Sequence, residues 1–157
     1  MIGCGNPEAG DDAVGLLAVE AARPRLEALE GVDVVETGPA LNVVHLLDAV
    51  DAAVVVDAIR EPRGARPPGT LVRAEAGPEG LPADLGSSLS SHGFGVAEAI
   101  GLAAALERAP RVVVLGVEVS DVTEGHALSA PVAATLPALV EGVVTEVEEL
   151  RKGSSRP

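Results

Sequence analysis

Two stretches of the chain are too apolar to lie anywhere but inside a sheet. Ala52-Ala53-Val54-Val55-Val56-Asp57 and Val112-Val113-Val114-Leu115-Gly116-Val117 are continuous runs of strand length, rich in β-branched side chains and without the alternation of a half-exposed strand. A strand apolar on both sides needs cover on both sides, and helices crossing between parallel strands are the usual source of it. The neighbouring segments supply such helices. Residues 14–22 read as a helix, Leu41–Leu47 carries apolar residues at i, i+3 and i+4, residues 96–106 have an Ala-rich face, and Pro131 opens a last helix running to about Leu150. Pro24 and Pro137 are expected to kink or break the first and last of these. Residues 32–36 and 70–73 read as short strands, the second at an edge. Strands alternating with helices predict an α/β fold, a mainly parallel twisted sheet with helices on both faces in a three-layer sandwich. A length of 157 residues suits one domain, residues 1–151, followed by a disordered tail over 152–157.

Composition narrows the partners. A formal net charge of −13 opposes binding to phosphate backbones, and one Phe with no Trp or Tyr leaves no stacking platform for single strands, so nucleic acid is not expected. The single cysteine, Cys4, has no internal disulfide partner, which fits a reducing cytoplasm. No basic segment leads into an apolar run and cleavage site, and the apolar stretches are interrupted by charge, Gly or Pro, so no membrane span is expected.

The chemistry concentrates in the first fifteen residues. Gly3-Cys4-Gly5-Asn6 makes a tight turn, and Gly10-Asp11-Asp12 places adjacent carboxylates where a helix begins. One acid there is explained by capping of unpaired N–H groups. A second, with Glu8 close by, is not. Asp11 is expected to be the cap and Asp12 to face a site. Only Met1 and Ile2 precede the turn, so the first strand is expected to be a stub, or the start codon to lie upstream. In α/β folds ligands bind beyond the carboxyl ends of the strands. That rule gathers four residues on one edge: Asp12 after the first strand, Asp57 and Glu118 at the ends of the two buried runs, and His92 closing the Gly-, Pro- and Ser-rich loop of residues 75–92. Taken singly, each has a plainer reading as a cap, turn or loop residue. Together, two carboxylates and an imidazole suit a borderline divalent ion such as Zn²⁺ or Ni²⁺.

Gly3-Cys4-Gly5-Asn6, Gly10-Asp11-Asp12-Ala13-Val14-Gly15, Val56-Asp57-Ala58, Ser91-His92, Gly116-Val117-Glu118 and Leu128-Ser129 follow one another in an order that resembles the hydrogenase maturation endopeptidases, in register over residues 2–150. The resemblance implies a processing protease that removes a C-terminal extension from the large subunit of a nickel–iron hydrogenase after nickel insertion. It implies a metal site of Asp12, Asp57 and His92. At such a site one of the two acids, Asp12 or Asp57, is expected to act as the catalytic group that helps activate water, with Asn6 and Glu118 as accessory residues. Nickel would be recognised in the substrate, with another divalent cation as the alternative occupant of the isolated protein. Val119 stands where the family usually has Pro. The residues fit such a hydrolase: no Gly-x-Ser-x-Gly elbow and no His-Glu-x-x-His helix occurs, and no local signature ties a His to Cys4, leaving carboxylates or a metal-activated water.

Three other readings compete. A phosphoacceptor receiver domain would need a strand-end Lys, and the only lysine is Lys152. A dinucleotide-binding domain finds half its glycine fingerprint in Gly3-Cys4-Gly5 and a ribose-binding acid in Glu36, but Glu8, Asp11 and Asp12 would repel a pyrophosphate. A non-catalytic relative would keep the fold as a binding module.

Overall fold

The computed structural model describes residues 1–61, 64, 66–77, 80–81, 95–106 and 110–154. Its strands are β1 (Ile2–Cys4), β2 (Val35–Thr37), β3 (Ala52–Ile59), β4 (Leu71–Ala76) and β5 (Arg111–Glu118), and its helices α1 (Val14–Leu26), α2 (Leu41–Leu47), α3 (Val96–Ala105) and α4 (Ala130–Ser154). The sheet order is β2-β1-β3-β5-β4. The first four strands in that order run parallel, and β4 closes one edge antiparallel to β5.

The two apolar runs are the central strands β3 and β5, paired in register from Ala52 opposite Arg111 to Ile59 opposite Glu118. Alternate side chains feed two cores. Val55, Ile59, Val112 and Val114 meet Val43, Val44 and Leu47 of α2 and Val96, Ala99 and Ile100 of α3. Val54, Val56, Val113 and Val117 meet Val14, Ala18 and Leu26 of α1 and Leu139, Val143 and Val147 of α4. Helices thus cover both faces, as the runs demand. With almost no aromatics, close approach replaces bulk. A Cβ on Gly15 would lie 2.3 Å from the carbonyl oxygen of Cys4 and 2.6 Å from that of Val56, so α1 presses directly on the ends of β1 and β3.

Neither proline stops its helix. Pro24 lies in the last turn of α1, which ends two residues later at Leu26, and Pro137 near the start of α4, which runs on to Ser154. The carbonyls they leave without an intrahelical N–H belong to Glu20 and Ala133, which are exposed, so water can satisfy them. Helix α4 extends to Ser154, making residues 152–154 helical where a tail was expected; residues 155–157 lie outside the described residues. Residues 32–34 are not strand, and β2 is the three residues Val35–Thr37. β4 reaches Ala76, taking in the first residues of the expected long loop. By length and composition, residues Ala130–Gly153 could also cross a membrane, contrary to the sequence expectation; here Val132, Leu139, Val143, Val147 and Leu150 of this helix are buried against the sheet.

Candidate active site

At the carboxyl edge of the sheet, Asp12 lies near enough to Asp57 for its charge to act on that carboxyl. Asp57 is two residues from the end of β3, on the α2/α3 side with Val55 and Ile59. Asp12 lies in a 3-10 turn, Gly10–Ala13, that joins β1 to α1. Gly5 makes the return possible: its φ of +144° suits only glycine, and a Cβ there would sit 1.9 Å from the carbonyl oxygen of Asp12. The N–H of Asn6 donates to Asp12 Oδ2 at 2.8 Å, while Asn6 Oδ1 accepts from the N–H of Glu8 at 3.0 Å. Asn6 therefore orients one acid through its main chain and shapes the turn through its side chain.

The charge of Asp12 acts on Asp57. Asp57 is pushed up to about 8, first by burial and then by the negative charge of Asp12, against a hydrogen bond from the main chain at Ala58 that favours the anion. The Cys4 thiol, at the end of β1 on the same side, is pushed far up by burial and by both acids. A thiol so held is a poor nucleophile. Gly3 and Cys4 belong to β1 and not to the turn expected there, because both pair with β2, and the turn begins at Gly5.

Asp11 is not the cap of α1. Its carboxylate makes no capping bond there and is fully buried. It accepts from the N–H of Ser129 at 2.6 Å, the hydroxyl of Ser129 at 3.0 Å, the N–H of Asp121 at 3.2 Å and the N–H of Ser120 at 3.4 Å. Ser129 in turn accepts from the N–H of Ala133, so Asp11 ties the first loop to the start of α4. The pairing spans more than a hundred residues, and no local pattern announces it; its one trace in the sequence is Leu128-Ser129 recurring with the other motifs.

Glu118 is also elsewhere engaged. It is 3% exposed, its Oε1 accepts from the N–H of Glu61 at 2.8 Å, and its Oε2 lies 3.8 Å from Arg66 Nη1. Its hydrogen bonds go to the loop after β3, not to Asp12 or Asp57. His92 and Ser91 lie outside the described residues, and among the described residues no group of three or more His, Cys, Asp or Glu is placed to hold a metal ion. The acid pair supplies two oxygen donors, the number the expected site takes from Asp12 and Asp57, and such donors with an imidazole suit a borderline divalent cation. Lys152 stands in the last turn of α4, next to Gly153, which approaches Arg111 at the start of β5; it is at the opposite edge from Asp57, as a receiver domain does not allow. Glu36 is ion-paired with Arg23 and not held free for a ribose.

A mostly parallel sheet between two helical layers, with acids at the carboxyl ends of β1 and β3, is an α/β fold with its candidate site on that edge. Residues 17–146 match the HycI family of hydrogenase maturation proteases, and the chain belongs to that family. It is a peptidase of that class. The fold agrees with that of several solved members. The hydrogenase maturating endopeptidase HybD from E. coli is 23% identical, with 94% of this chain and 90% of that one covered at a TM-score of 0.75. HycI and HybD from Thermococcus kodakarensis are 22% and 23% identical, covering 92% and 95% of this chain and 88% and 95% of theirs at TM-scores of 0.69 and 0.65. No protein of curated function matches the chain.

Proposed function

We propose that this chain is a cytoplasmic, aspartyl-type endopeptidase that removes the C-terminal extension from a nickel–iron hydrogenase large-subunit precursor once nickel has been inserted. The observation that carries the reading is the Asp12–Asp57 pair, with Asp57 raised to about 8 beside Asp12. Two neighbouring carboxylates that cannot both ionise easily divide the work of peptide hydrolysis: one, ionised, takes a proton from the attacking water, and the other, protonated, gives one to the departing amine. Either acid can fill either role.

Nickel belongs to the substrate in this reading. Asp12, Asp57 and His92 offer two carboxylates and an imidazole, donors that suit nickel, and a precursor without it lacks the feature they recognise. The test is cleavage of nickel-loaded precursor by Asp12→Ala, Asp57→Ala and His92→Ala. A loss of at least about a hundredfold is expected for each acid, in the range of general acid–base contributions. Parental rates in all three variants would end the proposal.

A further inference from the structure

The first turns of α1 carry a stripe that the fold covers only in part. Ala13, Leu16, Leu17 and Glu20 follow one another at helical spacing; Ala13 is buried and Leu16 half-buried, while Leu17, at 36%, and Glu20 are exposed. The stripe floors a trough of about 700 Å³ at the carboxyl edge of the sheet. Leu128 and Ala133, at the start of α4, form one wall, and Glu36 to Gly38, at the end of β2, form the other. Gly5, Gly10 and Ala13, from the loop that bears Asp12, also line it, so the trough lies beside the backbone that carries one acid of the candidate active site.

The β2 wall has a property of its own. β2 is the outermost strand on its side of the sheet. The N–H of Val35 donates to Met1 and the carbonyl of Thr37 accepts from Gly5, so residues 35 and 37 turn their main chain toward β1. In a parallel ladder the residue between them turns its N–H and C=O the other way, to the open edge. Glu36 thus offers a main-chain donor and acceptor beside an apolar floor, the arrangement by which a sheet edge takes up an extended peptide. Of the charged groups at the trough, Glu20 and Glu36 are exposed, Glu36 is ion-paired with Arg23, and His126, paired with Asp121, also lines it, on a chain of net charge −13.

We propose that this trough holds the extended segment of the precursor that adjoins the bond to be cut, with the main chain of Glu36 pairing with it, apolar side chains resting on Leu16, Leu17 and Leu128, and a basic side chain drawn to Glu20. The proposal rests on the protease reading above and adds to it where and how the polypeptide lies. An occupant so placed is gripped alike before and during bond cleavage, so loss of the grip raises KM and leaves kcat in place.

Three changes test it with nickel-loaded precursor as the probe. Leu17→Glu puts a charge on the floor, and Ala133→Trp fills the trough from an exposed position. Each is expected to raise KM about tenfold with kcat within about twofold of the parent. Glu36→Pro is compared with Glu36→Ala: both lose the ion pair to Arg23, and only the first loses the outward N–H, so an excess KM effect of Glu36→Pro reads the main-chain bond. Thermal unfolding of each variant verifies folding. A second readout does not need turnover: the same changes placed in the Asp57→Ala background are expected to raise the Kd for the precursor by the same factor. Parental cleavage with KM and Kd unchanged in all the folded variants overturns the trough and leaves the protease standing. A parent that binds and cleaves no precursor overturns the protease reading, and the trough with it.

Discussion

Removing the Asp11 carboxylate should destabilise this protein more than removing any exposed acid. Its side chain accepts three main-chain N–H groups and one hydroxyl, all between the first loop and residues 120–129, and no solvent reaches it. Hydrogen bonds to a charged acceptor are worth about 1.5–3 kcal/mol each, and a buried donor left without a partner costs about 1–3 kcal/mol. The 3.4 Å bond from Ser120 is long enough to count for little, and the Ser129 hydroxyl can turn to another acceptor. The N–H groups of Ser129 and Asp121 then dominate, giving a loss of about 3–6 kcal/mol for Asp11→Ala. At this chain length that lowers Tm by roughly 10 °C or more. Asp11→Asn keeps the shape and one acceptor oxygen but turns an NH₂ toward an N–H, so about half the loss is expected. Urea unfolding of the parent and both variants, followed by circular dichroism, measures the differences. A loss below about 1 kcal/mol for Asp11→Ala would refute the reasoning, because it would mean that water replaces the carboxylate at no cost.

Further outcomes concern the acid pair and the packing around it. Asp57 binds its proton more tightly in the folded chain than in the unfolded one, so its contribution to stability is fully present below about pH 4 and is lost as pH rises toward 8. Asp57→Asn, which has no proton to lose, should therefore match the parent near pH 4 and exceed it near pH 8.5. A shift of about four units sets a ceiling of about 5–6 kcal/mol; for a half-buried group about 1–3 kcal/mol is expected, and parallel Tm profiles from pH 4 to 8.5 would contradict it. Gly15→Ala drives a methyl into two carbonyl oxygens of β1 and β3, and should cost about 3 kcal/mol and lower peptidase activity by moving Asp12 relative to Asp57. Calorimetry and cleavage assays measure the two effects, and an unchanged Tm would show that α1 can retreat freely. Glu118→Leu removes the acceptor of the Glu61 N–H and leaves Arg66 able to turn outward, so a loss of about 1–2 kcal/mol is expected without a tenfold drop in cleavage of the nickel-loaded precursor; a larger drop would make Glu118 part of the reacting site.

Much of this protein could be read before folding because its strongest patterns are local. Val54-Val55-Val56 and Val112-Val113-Val114 can be stable only with cover on both faces, which sets parallel strands, crossing helices and a carboxyl edge where Asp57 must emerge. The motif order gave the family. The roles of Asp11 and Glu118 were not legible, since a carboxylate's partner is chosen by distance in space and theirs lie on segments remote in sequence. The helices through Pro24 and Pro137 show the same limit: local propensity argues for a break, and exposure of the abandoned carbonyls lets packing prevail. By itself the sequence determined which segments must be buried, and hence the layers and the edge on which the acids stand. Only the tertiary structure decided that Asp12 lies near Asp57 while Asp11 beside it binds the start of α4. Neighbouring residues on a tight turn point in different directions, and which direction meets which partner is set by how closely Gly5 and Gly15 let the backbone approach.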